Sequence, residues 1–301
     1  MATFSLTAIN VGTFNLGEAD KIITLFSREK GIHRAVAKGA RKPGAKIAGK
    51  AELLNVNKLL LAKGKNLDII TQSESIETYP NLRHDLKRLT YAFYYAELTQ
   101  VFGLELTEES ARYFDRLTLS IGLMAASGRD PALLCLEFEF ALLELLGIRP
   151  ELNHCVSCRD ALNERNISAF NHELGGLLCQ KCFFKIRALA GHNKTSVVHE
   201  DASLEEVSSA IYQRADAIET QRTNIYVTPL VWKRMVLARI GSDSINIDSL
   251  DVNEGQHGPS TEGREAQLKM ATSAARRVMQ SYIEYKSGRR MRALDLLGDL
   301  V

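Results

Sequence analysis

Leu53-Leu54-Asn55-Val56-Asn57-Lys58-Leu59-Leu60-Leu61-Ala62-Lys63-Gly64-Lys65-Asn66-Leu67-Asp68-Ile69-Ile70-Thr71-Gln72-Ser73-Glu74-Ser75-Ile76 is the stretch that decides how the chain begins to fold. Two short apolar runs, 53–62 and 67–76, flank a polar Lys-Gly-Lys-Asn turn, which is the pattern of two strands. Upstream, residues 4–11, 22–26 and 32–37 behave in the same way, separated by Gly, Asn and Lys. Five strands within residues 1–80 match the size and strand count of a small closed barrel such as an OB-fold, although other five-stranded barrels share that count.

Downstream the period changes. From Asn81, the positions Leu82, Leu86, Leu89, Phe93, Leu98 and Val101 fall near helical spacing. Three helices are expected up to 147, broken near Gly103 and at Gly128-Arg129-Asp130-Pro131. The last of them, 132–146, is apolar on nearly every side, which predicts the centre of a helical core. Helical patterns resume at 204–219, 229–240 and 265–286, with a polar stretch near 241–264 read as a mobile surface loop. The expected fold class is therefore α+β and multidomain. Residues 1–80 form an OB-fold β-barrel, 81–149 and 186–301 two parts of an α-helical domain, and 150–185 an inserted four-cysteine zinc ribbon.

The inserted segment rests on spacing. Four of the five cysteines fall as Cys155-x2-Cys158 and Cys179-x2-Cys182, with twenty residues between the pairs. Each two-residue knuckle presents two sulfurs to one ion, and four thiolates complete a tetrahedron around Zn2+. Disulfides are the rival reading, and a chain without a secretory signal, expected in the cytoplasm, is kept reduced. Four protein ligands close the site to a reactive water, so one structural zinc is expected, and its removal should loosen 150–185 while the barrel persists. His154 and His172 are close enough to be alternative ligands but, with four thiolates available, are expected at the surface or behind the ligands; Gly175-Gly176 supplies turn residues before the second knuckle, and Cys135 reads as a small buried hydrophobe.

Charge is uneven along the chain. Residues 1–90 hold 15 Lys and Arg against 8 Asp and Glu, a surplus of +7 that leaves −5 for the rest of a chain whose total is +2. Arg34, Lys38, Arg41, Lys42, Lys46 and Lys50 occur with no acid among them, interleaved with Gly39, Pro43, Gly44 and Gly49. Ordinary solvated loops mix both signs, so this segment, expected as a strand end running into an exposed loop, points to a polyanion. Only Phe14 and Phe26 are near it as rings for base stacking, and both are equally readable as core. A second cluster, Arg289-Arg290-Met291-Arg292 after Lys286, with Arg276-Arg277, either extends the track or serves a helix end.

Phosphate-loop, dinucleotide-fingerprint, nucleophile-elbow and His-Glu-x2-His motifs are all missing from the sequence. Asp115, Asp130, Glu137, Glu139 and Glu144 read as ordinary helix carboxylates, so no catalytic residue is expected and the chain is read as a non-enzyme. No apolar run reaches membrane-spanning length, so no membrane partner is expected.

Taken together, Gly17-Glu18-Ala19-Asp20, the apolar strand 22–26, Ser27-Arg28-Glu29-Lys30-Gly31, Ala37-Lys38-Gly39-Ala40-Arg41-Lys42, Asn81-Leu82-Arg83-His84-Asp85-Leu86 and Leu146-Gly147-Ile148-Arg149-Pro150 resemble the RecO family over nearly the whole chain. That resemblance implies a recombination mediator, cytoplasmic and nucleoid-associated, that binds single- and double-stranded DNA and anneals complementary strands. It implies as partners RecR and the C-terminal tail of single-strand-binding protein, and RecA indirectly, helped to load onto DNA coated with that protein. Carried onto matching positions, it makes Arg34, Lys38, Arg41 and Lys42 DNA contacts, beside Lys46 from the basic run, and Cys155, Cys158, Cys179 and Cys182 zinc ligands. Some family members lack these cysteines. The alternative is a zinc-ribbon and OB protein of RNA metabolism or transcription; a zinc-dependent hydrolase is the enzyme rival, and four thiolates deny it an open metal position.

Overall fold

The structure is a computed structural model that describes residues 2–126, 128–192, 224–241 and 261–295. The helix expected at 204–219 lies outside the described residues, as does most of the loop expected near 241–264.

Thr3–Leu16 (β1), Asp20–Ser27 (β2) and Gly31–Ala37 (β3) form an antiparallel meander. A single helical turn, Lys46–Lys50 (α1), then leads into Val56–Ala62 (β4) and Asp68–Glu77 (β5). β4 pairs along β1, and β5 reaches β3 in parallel through Ala35–Asp68 and Val36–Ile69, closing the barrel in the order β1-β2-β3-β5-β4. The expected five-stranded OB-type barrel is thus present. Its bore is filled by Leu6, Ile23, Leu25, Leu59, Leu61 and Ile70 between the small Ala8, Ala35 and Ala37, with Phe4 and Ile47 packed against them.

The turn α1 is too short to persist alone. Three buried asparagines hold its carboxyl end. Asn10 Nδ2 donates to the carbonyls of Lys50 (2.8 Å) and Glu52 (2.7 Å), Asn55 Nδ2 to that of Gly49 (2.6 Å), and Asn57 Nδ2 to that of Lys50 (3.1 Å). They satisfy carbonyls that a helix end leaves without partners.

A 3-10 turn, Pro80–His84, precedes Leu86–Phe102 (α2), Ser110–Ala125 (α3) and Pro131–Leu145 (α4). The starts are locally encoded: Asp85 accepts from the Arg88 N–H, and Asp130 from the Ala132 N–H with Pro131 in the first turn. As its composition predicts, α4 is central. Leu136, Phe138, Leu142 and Leu143 are fully enclosed, Phe138 stacks on Tyr95 at 4.0 Å, and Glu139 is buried with Tyr94 Oη donating to it at 2.8 Å. Tyr113 meets Phe26 edge-on at 5.0 Å, seating α3 on the outside of β2. The N–H groups of Arg292 and Ala293 donate to the two Glu97 carboxylate oxygens at 2.8 Å, returning the C-terminal segment to α2.

The chain divides into two compact units, Met1–Gly147 with Ser287–Val301, and Ile148–Lys286. The second contains Ile167–Asn171 (β6), Gly176–Cys179 (β7), Gln180–His192 (α5), Asn224–Tyr226 (β8), Pro229–Ile240 (α6) and Thr261–Ser287 (α7), which ends at the division. Its sheet has the order β7-β6-β8. Leu152, Phe170, Leu177, Leu178, Met235, Met279 and Ile283 are among its enclosed apolar side chains. Trp232 Nε1 donates to the Leu152 carbonyl at 2.8 Å and Tyr282 Oη to that of Ile148 at 3.0 Å, binding α6 and α7 to the segment that carries the first cysteine pair.

Candidate nucleic-acid interface and metal centre

The basic run of the barrel is a docked loop rather than a loose one. Ala40 is buried in the barrel core and anchors it. Gly39 N–H donates to Asp20 Oδ1 at 2.7 Å, Arg41 N–H to the Ala19 carbonyl at 2.9 Å, and Arg41 Nη1 to the Gly17 carbonyl at 2.5 Å. Gly39 and Gly44 sit at φ 69 and 72, where a side chain would be strained, so the glycines of the run are what let it turn back on β1 and β2. Lys38, Arg41, Lys42 and Lys46 are left exposed around that anchor. Lys50 is half-buried, and its ammonium donates to the Ser73 carbonyl; it is a brace for α1 more than a free cation.

Two features were not readable from the basic run itself. The loop lies against the β1–β2 turn, which brings Glu18 and Asp20 beside it, and Asp20 is occupied by Gly39. Arg34 stands apart from the loop, exposed on the outer face of β3 opposite Thr24. On the adjoining rung Phe14 pairs with Ile22 and Ile22 with Val36, so Phe14 shares that outer face. Its ring is 57% exposed, whereas Phe26 is fully buried under Tyr113. A ring and a guanidinium on neighbouring rungs can stack a base while neutralising a phosphate.

In the second unit the four cysteines converge. Cys155 and Cys158 come from the loop before β6, Cys179 from the end of β7 and Cys182 from the first turn of α5. Their sulfurs all lie within 4.8 Å of one another, and Cys158 Sγ and Cys179 Sγ are 3.8 Å apart. Zinc–sulfur bonds of about 2.3 Å in a tetrahedron require a sulfur–sulfur edge of about 3.8 Å, so the donor set fits Zn2+ in number, softness and spacing. The knuckle is shaped by Arg159 N–H donating to the Cys155 carbonyl (2.9 Å) and Cys155 N–H to the Asp160 carbonyl (2.8 Å). Gly176 lets the strand approach closely, since a Cβ there would stand 2.6 Å from the Glu151 carbonyl oxygen and from Val156 Cγ1. Burial would raise the Cys155 thiol, but the N–H groups of Cys158, Cys179 and Ser157 outweigh it and bring it down to about 7. Burial raises the Cys179 thiol, so a cation is what would let the whole set ionise.

His154 is exposed, with Nδ1 3.9 Å from Glu151. His172 is buried against Phe170 and Tyr282, and Cys135 is enclosed in α4 of the other unit. Arg159 holds φ 67, a left-handed conformation that strains any residue with a Cβ. Arg159→Gly is therefore expected to stabilise the cysteine-bearing unit by about 0.5–1 kcal/mol, less than the full strain because glycine also frees the unfolded chain. Thermal melting of the metal-loaded protein checks it, and an unchanged or lower midpoint refutes it.

In the second cluster, Arg289 and Arg292 are exposed and Arg290 pairs with Asp295 at 3.0 Å. Arg276 donates to Gln280 at 3.0 Å within α7. No helix among the described residues is long and apolar enough to cross a membrane.

Comparison with known proteins follows the same order along the chain. The family model described as recombination protein O N terminal matches residues 1–79, and that described as recombination protein O C terminal matches 83–198. The DNA repair protein RecO of Symbiobacterium thermophilum is 38% identical over 183 residues, covering 60% of this chain and 72% of the relative. Those of Pelotomaculum thermopropionicum and Gloeobacter violaceus are 36% and 39% identical over 182 and 189 residues, each covering 60% of this chain and 69% of the relative.

Proposed function

This chain belongs to the RecO family of DNA repair proteins, and from that premise we propose that it is a non-enzymatic recombination mediator that grips DNA through the basic loop of its barrel. The observation that carries the reading is the docked loop itself. Lys38, Arg41, Lys42 and Lys46 are held outward by a buried alanine and a network of backbone hydrogen bonds, so their charge is presented without first ordering a flexible segment. Exposed Phe14 and Arg34 add a place for an unpaired base, which favours single strands, while phosphate contacts serve either form.

Neutralising phosphates on two strands lowers their mutual repulsion, and that is the physical basis on which the protein anneals complementary strands. RecR and the tail of single-strand-binding protein are its proposed protein partners, with RecA the beneficiary, in the cytoplasm at the nucleoid. A groove of about 260 Å3 between α3 and α4, lined by Arg112 and Arg116 with Leu119, Ala141 and Leu145 and also by Asp115 and Glu144, is the proposed seat of that acidic and apolar tail. Cys155, Cys158, Cys179 and Cys182 would hold one zinc ion, which supplies a four-way crosslink and no reactive position.

The test is a salt titration of oligonucleotide binding together with strand annealing on DNA coated with single-strand-binding protein. Four phosphate contacts predict a log–log slope near about −3 on single strands. A slope close to zero, or tight binding confined to RNA with no annealing, overturns the reading.

A further inference from the structure

Away from the barrel, four neighbouring elements of the cysteine-bearing unit carry cations and no acid among their described residues. β6, β7, α5 and β8 contain Lys181, Lys185 and Arg187 and not one Asp or Glu. All three cations are exposed, and ion pairs described in this unit join other residues, among them His154 with Glu151, Lys233 with Glu164 and Lys269 with Glu265. Along α5, Lys181, Phe184, Lys185 and Ala188 recur at the i, i+3, i+4, i+7 spacing that lines one side of a helix, and each is exposed.

Two large rings lie on this surface. Phe184 is 60% and Tyr226 65% exposed, while Phe183 between them is buried. The Phe183 ring meets Tyr226 edge-on at 5.0 Å and Phe184 at 5.8 Å, and Arg187 Nη1 donates to Tyr226 Oη at 2.9 Å. The tyrosine is thus held at its ring and at its hydroxyl before any ligand arrives, and little rotamer freedom remains to be lost on binding.

Charge and rings together select the occupant. A duplex hides the faces of its bases in the stack, so it would use the cations and leave both rings wet. An apolar protein segment would use the rings and leave three desolvated cations without partners. Single-stranded nucleic acid uses both, with bases on the rings and phosphates on the lysines and arginine.

We propose that Phe184 and Tyr226, with Lys181, Lys185 and Arg187, form a second contact for single-stranded DNA on the cysteine-bearing unit. It shares with the reading above only the identity of the ligand. A chain with two such contacts can hold two strands at once, which is what bringing complementary strands together demands.

The experiment is photocrosslinking of the full, zinc-loaded chain to a thymidine oligonucleotide carrying 5-iododeoxyuridine, with the crosslinked peptides mapped, in wild type and in Lys38→Glu/Arg41→Glu. The expected result is a crosslink at Phe184 or Tyr226 in both proteins, with barrel crosslinks disappearing only from the second. Phe184→Ala/Tyr226→Ala should remove that crosslink and weaken binding about tenfold or more, and Phe184→Trp/Tyr226→Trp should keep it. Lys181→Gln/Lys185→Gln/Arg187→Gln should lower the salt slope by about 2. Crosslinks confined to the barrel overturn this contact and leave the barrel reading standing, whereas crosslinks at α5 with none in the barrel do the reverse. An unchanged DNA affinity in the double alanine variant, with its zinc content and circular dichroism intact, also overturns it, and then assigns the rings to a protein partner.

Discussion

Lys38→Glu/Arg41→Glu is expected to weaken single-stranded DNA binding by about a hundredfold or more at low salt and to reduce the salt slope by about 1.4, the share of two phosphate contacts. The change converts two attractions into two repulsions at exposed positions of the basic loop. The fold should tolerate it, because Ala40 between the two positions remains the buried anchor and the Gly39 N–H keeps its bond to Asp20. Only the hydrogen bond from Arg41 Nη1 to the Gly17 carbonyl is removed, and that carbonyl lies at the surface, where water readily replaces the guanidinium. Stability should move by no more than about 0.5 kcal/mol. Lys38→Gln/Arg41→Gln separates the missing attraction from the added repulsion and should fall in between. Retention of wild-type affinity by the glutamate variant, with its melting point unchanged, would remove the barrel loop from the binding surface. Strand annealing measured on the same proteins shows whether the function depends on that grip.

Stripping the metal, or replacing Cys155 with Ser, is expected to unfold much of residues 148–192 while the barrel keeps its structure. The physical asymmetry is plain in the two cores. The barrel is closed by continuous strand pairing around its own apolar bore. The segment from Ile148 to β6 has only isolated bridges, Glu151 with Gly176 and His154 with Ala161, and its turn is organised around sulfurs that must all be satisfied together. Structural zinc in small peptide modules supplies about 10–16 kcal/mol of apparent binding energy, so its removal exceeds what one small sheet can replace. Some order should survive through Trp232 and Tyr282, which tie α6 and α7 to Leu152 and Ile148. Limited proteolysis checks this. Cuts should appear within 148–192 after chelation, and a fragment of about residues 2–147 should resist. A reduced preparation with no bound zinc, or a stripped protein as resistant as the loaded one, would contradict the structural role. If DNA binding by the barrel survives stripping, the metal braces the second unit without serving the first.

Much of the fold was legible locally. Alternation of apolar runs with Gly, Asn and Lys turns marked five strands, because a strand against a barrel core must repeat every two residues. Gly128-Arg129-Asp130-Pro131 marked a break between helices, but the capping roles of Asp85 and of Asp130, read as an ordinary helix carboxylate, appeared only in the structure. The spacing of the cysteines marked convergent sulfurs, because a two-residue knuckle geometrically points both at one place. The first strand ran on to Leu16, beyond the expected residue 11, since β2 pairs along its whole extension. The basic run, read as strand end and loop, contains a helical turn held by Asn10, Asn55 and Asn57, and no local pattern announces a helix of five residues.

The sequence by itself determined the strand and helix units, the acid-free basic run and the four-thiolate set, because each is written in residues close together in the chain. Only the tertiary structure decided that β5 closes the barrel on β3, that Glu18 and Asp20 come to lie beside the basic loop, that Phe14, Phe184 and Tyr226 are exposed, and that β8 completes the cysteine sheet. Each of these depends on which distant segment arrives as a neighbour. Burial and strand pairing belong to pairs of segments, and a single segment carries no record of its partner.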